Sequence, residues 1–295
     1  MQAITVSDRE ALDLSLTELP HPHAAENDVI VQVHAAGFTR GELTWPGTWT
    51  DRAGRDRAPS VPGHEVSGVV AELGYGTTGL TVGQRVFGLT DWTRDGSLAE
   101  YVAVEARNLA PLPTGIDHVT AAALPISGLT AWQALFDHAH LKAGQTVLIH
   151  GVGGAVGSVA AQLAREAGAY VIGTGRSNPE SAFVDQFITL EGDNLERVGE
   201  VDVVLDVLGG EIRNRSTALL RPGGTLVTIP DPPTVQPPAG RAIFFVVEPN
   251  RTQLAQLADR LRQGTLTPLV TKVRPLTEAA NAFTDPGRTI IQLTP

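Results

Sequence analysis

The chain changes rhythm once along its length. Near the start, Val29, Val31 and Val33 alternate with Ile30, Gln32 and His34, the period-two pattern of a half-buried strand. Short strands are predicted again at Glu65–Leu73, Arg85–Leu89 and Ala99–Val104. Glycines at 63, 68, 74, 76, 79, 83 and 88 punctuate them, which is turn chemistry for an antiparallel, barrel-like sheet. Pro111 and Pro113 mark a joint. From Val119 the apolar positions move to helical spacing between short apolar runs. Thr120–Phe136 reads as a helix that Pro125 and Gly128 must break or kink. Strands follow near 146–150, 170–174, 187–190, 202–206, 225–229 and 243–247. Six strands alternating with helices predict a doubly wound parallel sheet.

Smaller signals fill in the rest. Arg221-Pro222-Gly223-Gly224 reads as a turn into the fifth strand, and the proline-rich stretch Asp231–Gly240 as a loop. Asn250 is placed to cap a helix with Leu254, Leu257 and Leu261 on its buried stripe and Gln253 at the capping-box position. Pro268–Pro295 reads as strand, short helix and strand. It is too small to fold alone and is expected to return to the first domain. The predicted division is therefore 1–118 with 265–295, and 119–264.

Where strand meets helix, the second domain carries its chemistry. Thr146–His150 is a short apolar strand, followed by Gly151-Val152-Gly153-Gly154-Ala155-Val156-Gly157 and a helix running to about Gly168. Val156, Ala160, Leu163 and Ala167 form the apolar stripe of that helix. Gly151, Gly154 and Gly157 allow a tight turn and let a pyrophosphate approach the amides of Ala155, Val156 and Gly157 at the helix N-terminus. A second strand, Tyr170–Thr174, turns this glycine pattern into a dinucleotide-site signature. An NAD site carries Asp or Glu after that strand to hold the ribose 2′-hydroxyl. Here Gly175-Arg176-Ser177 stands instead, a cation and a hydroxyl suited to a 2′-phosphate. The expected cofactor is NADPH rather than NADH.

Composition narrows the partners. In 295 residues the net charge is −10, which argues against sequence-independent binding to nucleic acid or anionic membranes. There is no cysteine, so disulfides and thiolate metal sites are excluded. No signal-peptide core follows Met1 and no apolar run reaches spanning length, so a soluble cytoplasmic protein is expected. His138 and His140 read as surface histidines, Asp206 as a cap on the turn after its strand, and Arg52, Arg55 and Arg57 as parts of a mixed-charge loop with Asp51 and Asp56.

Several blocks in fixed order carry a family resemblance: Val61-Pro62-Gly63-His64-Glu65-Val66-Ser67-Gly68, Gly83-Gln84-Arg85-Val86-Phe87-Gly88, Gly96-Ser97-Leu98-Ala99-Glu100-Tyr101, Ser127-Gly128-Leu129-Thr130-Ala131-Trp132, the glycine-rich turn, and Asp206-Val207-Leu208-Gly209-Gly210. Over essentially its whole length the chain resembles the medium-chain dehydrogenase/reductase superfamily, in its zinc-independent, zeta-crystallin-like quinone oxidoreductase branch. The resemblance implies a GroES-like β-barrel substrate domain and a Rossmann domain, with the nicotinamide held in a cleft between them. It further implies hydride transfer from NADPH to a quinone or an α,β-unsaturated carbonyl, and a homodimer pairing through the edge strand at 242–247. Thr130 matches the family's threonine near the cofactor. Many relatives grip the 2′-phosphate with a Lys and a Tyr where Asn178-Pro179-Glu180 and Ile188-Thr189-Leu190 stand here, which leaves Arg176 and Ser177 to recognise it.

Zinc is the main fork. The cysteine ligand of the related alcohol dehydrogenases is replaced by Thr39, and His64 and Glu65 alone lack a third protein ligand. No metal is therefore expected. Thr39 is the candidate for contacting substrate or nicotinamide, with helix capping as its alternative role. Trp45, Trp49 and Trp92 are candidates to stack on a planar acceptor, with simple packing as theirs. Two other functions stay open from sequence: a zinc-dependent alcohol dehydrogenase, and a non-catalytic NADPH-binding sensor or scaffold.

Overall fold

The computed structural model describes residues 1–176, 183–190 and 195–294. They form two compact units. One comprises Met1–Ile126, Pro249–Gly264 and Val270–Pro295, and the other Ser127–Glu248 with Thr265–Leu269.

The first unit is antiparallel, as its alternating segments require. β1 (Gln2–Val6) pairs with β2 (Leu14–Glu18) in a two-stranded ribbon. β3 (Asp28–Gly37) is the spine of the larger sheet, which also contains β4 (Glu65–Leu73), β5 (Arg85–Leu89), β6 (Tyr101–Glu105) and β7 (Leu109–Pro111). Along one edge β3 pairs with β4 over nearly its whole length, and along the other with β6 over Asp28–Gln32. Register shifts at Ile30/Val31 and Val33/Ala35 bend it, as bulges do. Val29, Val31, Val33, Val66, Val86 and Val102 fill the core beneath. Ile30 is also buried, so the first half of β3 is covered on both faces rather than half-exposed. Two short helices belong here: α1 (Pro46–Trp49) and α2 (His118–Ala122). α2 stops before Pro125, which starts α3 (Pro125–Trp132) at a position where proline needs no hydrogen-bond donor. Gly128, expected to break or kink the helix, sits inside α3. A mid-helix glycine costs only about 1 kcal/mol, too little to end a buried helix.

In the second unit β8 (Thr146–His150), β9 (Tyr170–Gly175), β10 (Gln186–Thr189), β11 (Val201–Asp206), β12 (Leu220–Thr228) and β13 (Arg241–Phe244) form one sheet. Its order is β10-β9-β8-β11-β12-β13, and every pairing is parallel. Counted within the unit this is 3-2-1-4-5-6, the Rossmann order. α4 (Ala155–Glu166) follows β8, and α5 (Gly210–Ser216) follows β11. Leu148, Ile172, Val204 and Leu226 form a core layer against the sheet. Arg221-Pro222-Gly223-Gly224 does not precede β12 but lies within it. Gly223 has a positive φ of 81°, and the register with β11 shifts between Val201 and Val203, so the turn chemistry is used as an irregularity inside the strand.

The chain then returns to the first unit. Asn250 Oδ1 accepts the Gln253 N–H at 3.1 Å and starts α6 (Arg251–Gln263), which ends at left-handed Gly264. α6 groups with the first unit because the Arg251 guanidinium donates to the carbonyls of Leu109 and Ala106 at 2.6 and 2.9 Å. β14 (Lys272–Pro275), α7 (Ala279–Ala282) and β15 (Thr289–Gln292) follow, and β15 pairs with the far half of β3. Among the described residues no helix is long and apolar enough to cross a membrane.

Candidate functional site

Two sets of functional groups stand out, one in each unit. In the second unit the turn between β8 and α4 is shaped by two glycines for different reasons. Gly151 has a φ of 69°, a conformation that side chains avoid. At Gly157 the backbone φ is ordinary but the space is closed: a Cβ there would lie 2.3 Å from the Gly151 carbonyl oxygen and 2.8 Å from Val152 Cα. Gly154 caps α4, and Gly153 and Gly154 are exposed. The first-turn amides, including those of Ala155 and Val156, have no acceptor within the helix, which makes this end an anion site in both geometry and dipole. Gly175 ends β9 and Arg176 follows it, exposed. Ser177 lies outside the described residues, as do Asn178, Pro179 and Glu180. Thr130 is buried in α3.

Sequence reading missed His150, at the end of β8. It is fully buried, with Nδ1 at 2.8 Å from Thr174 Oγ1 and Nε2 at 2.7 Å from Ser216 Oγ. Ser216 donates its own proton to the Ile212 carbonyl, so it accepts from His150 Nε2–H, and Thr174 donates to Nδ1. Burial holds the imidazole neutral, with its pKa pushed down to about 4. A neutral histidine thus ties β8, β9 and α5 together beneath the glycine turn. Asp206 behaves as expected. Its carboxylate accepts from the amides of Leu208 and Gly209 and from the Thr228 hydroxyl.

The first unit builds its set from side chains. Thr39 is half-buried and stands at the N-cap of a 3₁₀ turn, Arg40–Thr44. Its N–H is held by Glu42 Oε2 at 3.1 Å, while Glu42 Oε1 takes the Gly63 N–H at 2.7 Å. Burial pushes the Glu42 carboxyl up to about 8, against the pull of these two amides. His64 is 1% exposed, with Nδ1 at 2.8 Å from Thr90 Oγ1. Burial, with the Arg57 charge adding to it, lowers its pKa to about 3. Glu65 accepts the Ile126 N–H at 2.9 Å and pairs with the Arg288 guanidinium.

Two of the three candidate tryptophans join this cluster. Trp45 and Trp92 meet edge to face at 5.2 Å, with the His64 ring 6.1 Å from the first and 5.1 Å from the second. Both indoles are half-buried. Gly47 permits the arrangement, since a Cβ there would strike the Trp92 carbonyl at 2.3 Å. Trp49 does not join them. It is 4% exposed, packs with Val6 and Leu43, and donates its indole N–H to Leu43 O at 2.8 Å. The stacking role considered for it gives way to core packing. Thr90 was also missed, although the register implies it. With Glu65 opposite Leu89 across β4 and β5, the residues just beyond, His64 and Thr90, must face each other.

The donors around Thr39 do not suit zinc. Both oxygens of Glu42 and both of Glu65 are engaged by amides or a guanidinium, Thr39 offers only a neutral hydroxyl, and no thiolate exists in the chain. Among the described residues no three His, Asp or Glu side chains come together as a metal site. The dinucleotide elements fit such a ligand, because the first-turn amides of α4 lack acceptors within the helix and Gly151 and Gly157 let the chain turn tightly before it.

Comparison with known proteins agrees with this architecture. Residues 25–114 match the alcohol dehydrogenase GroES-like domain family, and residues 182–285 match the family described as zinc-binding dehydrogenase. A quinone oxidoreductase from Pongo abelii is 30% identical over 233 residues, covering 75% of this chain and 69% of that protein. The 2-methylene-furan-3-one reductase of Solanum lycopersicum is 31% identical over 291 residues, covering 92% and 71%. The chain also matches the spectinabilin polyketide synthase system protein NorB of Streptomyces orinoci, at 37% identity over 229 residues. It spans only 10% of that much longer protein, against 73% of its own length. The structure of the quinone oxidoreductase from Coxiella burnetii superposes with a TM-score of 0.88 at 25% identity, covering 99% of both chains.

Proposed function

The chain belongs to the medium-chain dehydrogenase/reductase superfamily, in its quinone oxidoreductase-like branch, and we propose that it reduces quinones or α,β-unsaturated carbonyls with NADPH and without zinc. The observation that carries this reading is the state of the zinc-ligand region. Thr39 stands at the cysteine position, and the carboxylates beside it are bound to backbone and arginine. An acceptor that is not polarised by a metal must be activated by its own conjugation. The bound cofactor supplies a hydride at the nicotinamide C4. The protein supplies position, a dry surface and hydrogen bonds to the oxygen that gains charge. The exposed faces of Trp45 and Trp92 suit a planar conjugated acceptor.

Purified protein is expected to oxidise NADPH in the presence of benzoquinone, phenanthrenequinone or simple enones. Failure with every acceptor, in protein shown to bind NADPH, removes the reading. Stoichiometric zinc whose removal abolishes activity would replace it with an alcohol dehydrogenase. NADPH binding without turnover, together with a stable protein partner, would replace it with a sensor or scaffold.

The preference for NADPH rests on Arg176, the exposed cation after β9, where NAD sites place a carboxylate. Arg176→Ala is expected to weaken NADPH about ten- to a hundredfold, the equivalent of about 1.5–3 kcal/mol, and to leave NADH unchanged. Equal small losses for both cofactors would make Arg176 a bystander. The reading extends to a homodimer through β13, the edge strand of its sheet. Phe244, at its end, is 36% exposed and Val246 just beyond it 61%. A monomer by sedimentation would remove that part alone.

A further inference from the structure

Most buried polar groups of the first unit are satisfied within the chain, and His64 is only half satisfied. Its Nδ1 has Thr90 Oγ1, and among the described residues no other hydrogen bond reaches the ring. The direction of that bond follows from Thr90. The threonine is 1% exposed, and among the described residues its hydroxyl has only His64 Nδ1 as a hydrogen-bond partner. The reverse arrangement, with Nδ1–H donating, would bury that hydroxyl proton without an acceptor, which is unfavourable. Thr90 therefore donates to Nδ1, and the ring proton sits on Nε2. That Nε2–H is a donor with no partner among the described residues. Among the described residues the fully enclosed polar side-chain atoms without partners are Ser60 Oγ and Arg288 Nε. His64 Nε2 is not one of them, so the ring's 1% exposure includes this atom. The ring that carries it lies beside the half-buried indoles of Trp45 and Trp92.

We propose that His64 is a catalytic hydrogen-bond donor, presenting Nε2–H to the carbonyl oxygen of a conjugated acceptor that packs on Trp45 and Trp92, with Thr90 as the positioning residue that fixes the tautomer. This rests on the reductase reading above and gives it an oxyanion-binding group. A hydride and its electron pair from the reduced nicotinamide form a new C–H bond at the β-carbon of the enone. The C=C pair moves into the adjoining C–C bond, and the C=O pair moves onto oxygen. That oxygen accepts a stronger hydrogen bond from Nε2–H. A proton from water then completes the saturated ketone, and the nicotinamide is left oxidised. Because burial keeps the ring neutral at ordinary pH, His64 polarises the oxygen without delivering an imidazolium proton. The substrate class follows: an apolar, planar ketone or aldehyde conjugated to a C=C bond, with one unhindered oxygen.

The test begins without cofactor. Nitrogen-15 correlation spectra of the free protein should show His64 protonated at Nε2 and bare at Nδ1, and Thr90→Val should mix the two tautomers. Para-nitrophenolate, a redox-inert oxyanion, should quench the tryptophan fluorescence on binding. His64→Phe should weaken that binding about ten- to a hundredfold, while His64→Gln, which keeps a donor near the Nε2 position, should stay within about threefold. With NADPH and benzylideneacetone, kcat/KM should follow the same order, with NADPH affinity unchanged throughout. An Nδ1–H tautomer in the wild type overturns the proposal, as does equal nitrophenolate binding by wild type and His64→Phe. If His64→Phe does not fold, Thr90→Val decides: unchanged tautomer and unchanged nitrophenolate binding overturn it. Should the wild type bind nitrophenolate through His64 yet reduce no enone or quinone, the donor site stands and the reductase reading falls.

Discussion

The proposed cofactor elements of the second unit are made of backbone, and the proposed acceptor elements of the first are made of side chains. In the second unit the shape comes from what is missing at Gly151 and Gly157, within seven consecutive residues between one strand and one helix. In the first, Thr39, Trp45, His64, Thr90 and Trp92 come from separate loops gathered by β3, β4 and β5. The backbone site depends on space and is intolerant of an added Cβ at Gly157. The side-chain site depends on which atoms are paired, so single deletions there change chemistry before they change the fold.

The contrast between the two units is tested most severely at Gly157. A valine there places Cβ against the Gly151 carbonyl and Val152 Cα, both main-chain atoms of the turn, which cannot move aside as a side chain can. Gly157→Val should abolish measurable dinucleotide binding and lower stability by about 1–3 kcal/mol or more. Gly154→Ala is the control, since its Cβ meets only the Gly151 oxygen, at 3.3 Å. It should keep most of the affinity. Isothermal titration with NADPH and thermal unfolding separate the two. Near-normal binding by Gly157→Val would show that the turn can open.

The tryptophans sharpen the other side. Trp49→Ala removes a core ring and leaves the Leu43 carbonyl without its indole donor, so stability should fall by about 3–5 kcal/mol. Trp45→Ala, at a half-buried site, should cost much less stability and act on KM for aromatic acceptors. Urea unfolding paired with steady-state kinetics reads both. The reverse outcome, a stable Trp49→Ala with impaired turnover, would return Trp49 to the acceptor site.

The same contrast explains what could be read before folding. The six-strand parallel sheet, the glycine turn and the Asn250 cap are local patterns, in which neighbouring residues carry the whole signal. Strand bounds at Glu65–Leu73, Arg85–Leu89 and Thr146–His150 were legible for that reason. Long-range pairing was not. Gly128 looked like a breaker because helix propensity is visible in sequence while burial of α3 is not. Trp49 looked like Trp45 because both lie in one short polar stretch, and only the packing of Val6 and Leu43 tells them apart. His150 and Thr90 escaped notice because each acquires meaning from a partner, Ser216 or His64, far along the chain.

The smallest expected effect compares the two units through pH. His64 in the first and His150 in the second are held neutral by burial, with pKa values near 3 and near 4 against 6.5 for an unfolded histidine. Below about pH 6.5 the unfolded chain takes up protons at both sites while the folded chain does not, so stability falls as acid is added. Each histidine contributes a loss on the order of 1–2 kcal/mol by pH 5. Glu42 runs the other way. Its folded pKa is raised to about 8 from 4.5, so its contribution is full below pH 4.5 and is lost as pH rises through 8. Between pH 4.5 and 6.5 these two histidines, joined by His118, which burial lowers to about 4, and His34, which burial also lowers, oppose one carboxyl and stability rises with pH; above about 6.5 the Glu42 contribution dominates, and stability declines. Urea unfolding from pH 5 to 9 at constant ionic strength should therefore show a maximum near pH 6.5. A profile flat from 6.5 to 9 would mean that the amides of Thr39 and Gly63 keep Glu42 ionised. A profile that falls from 5 to 6.5 would mean that the buried histidines already carry protons in the fold.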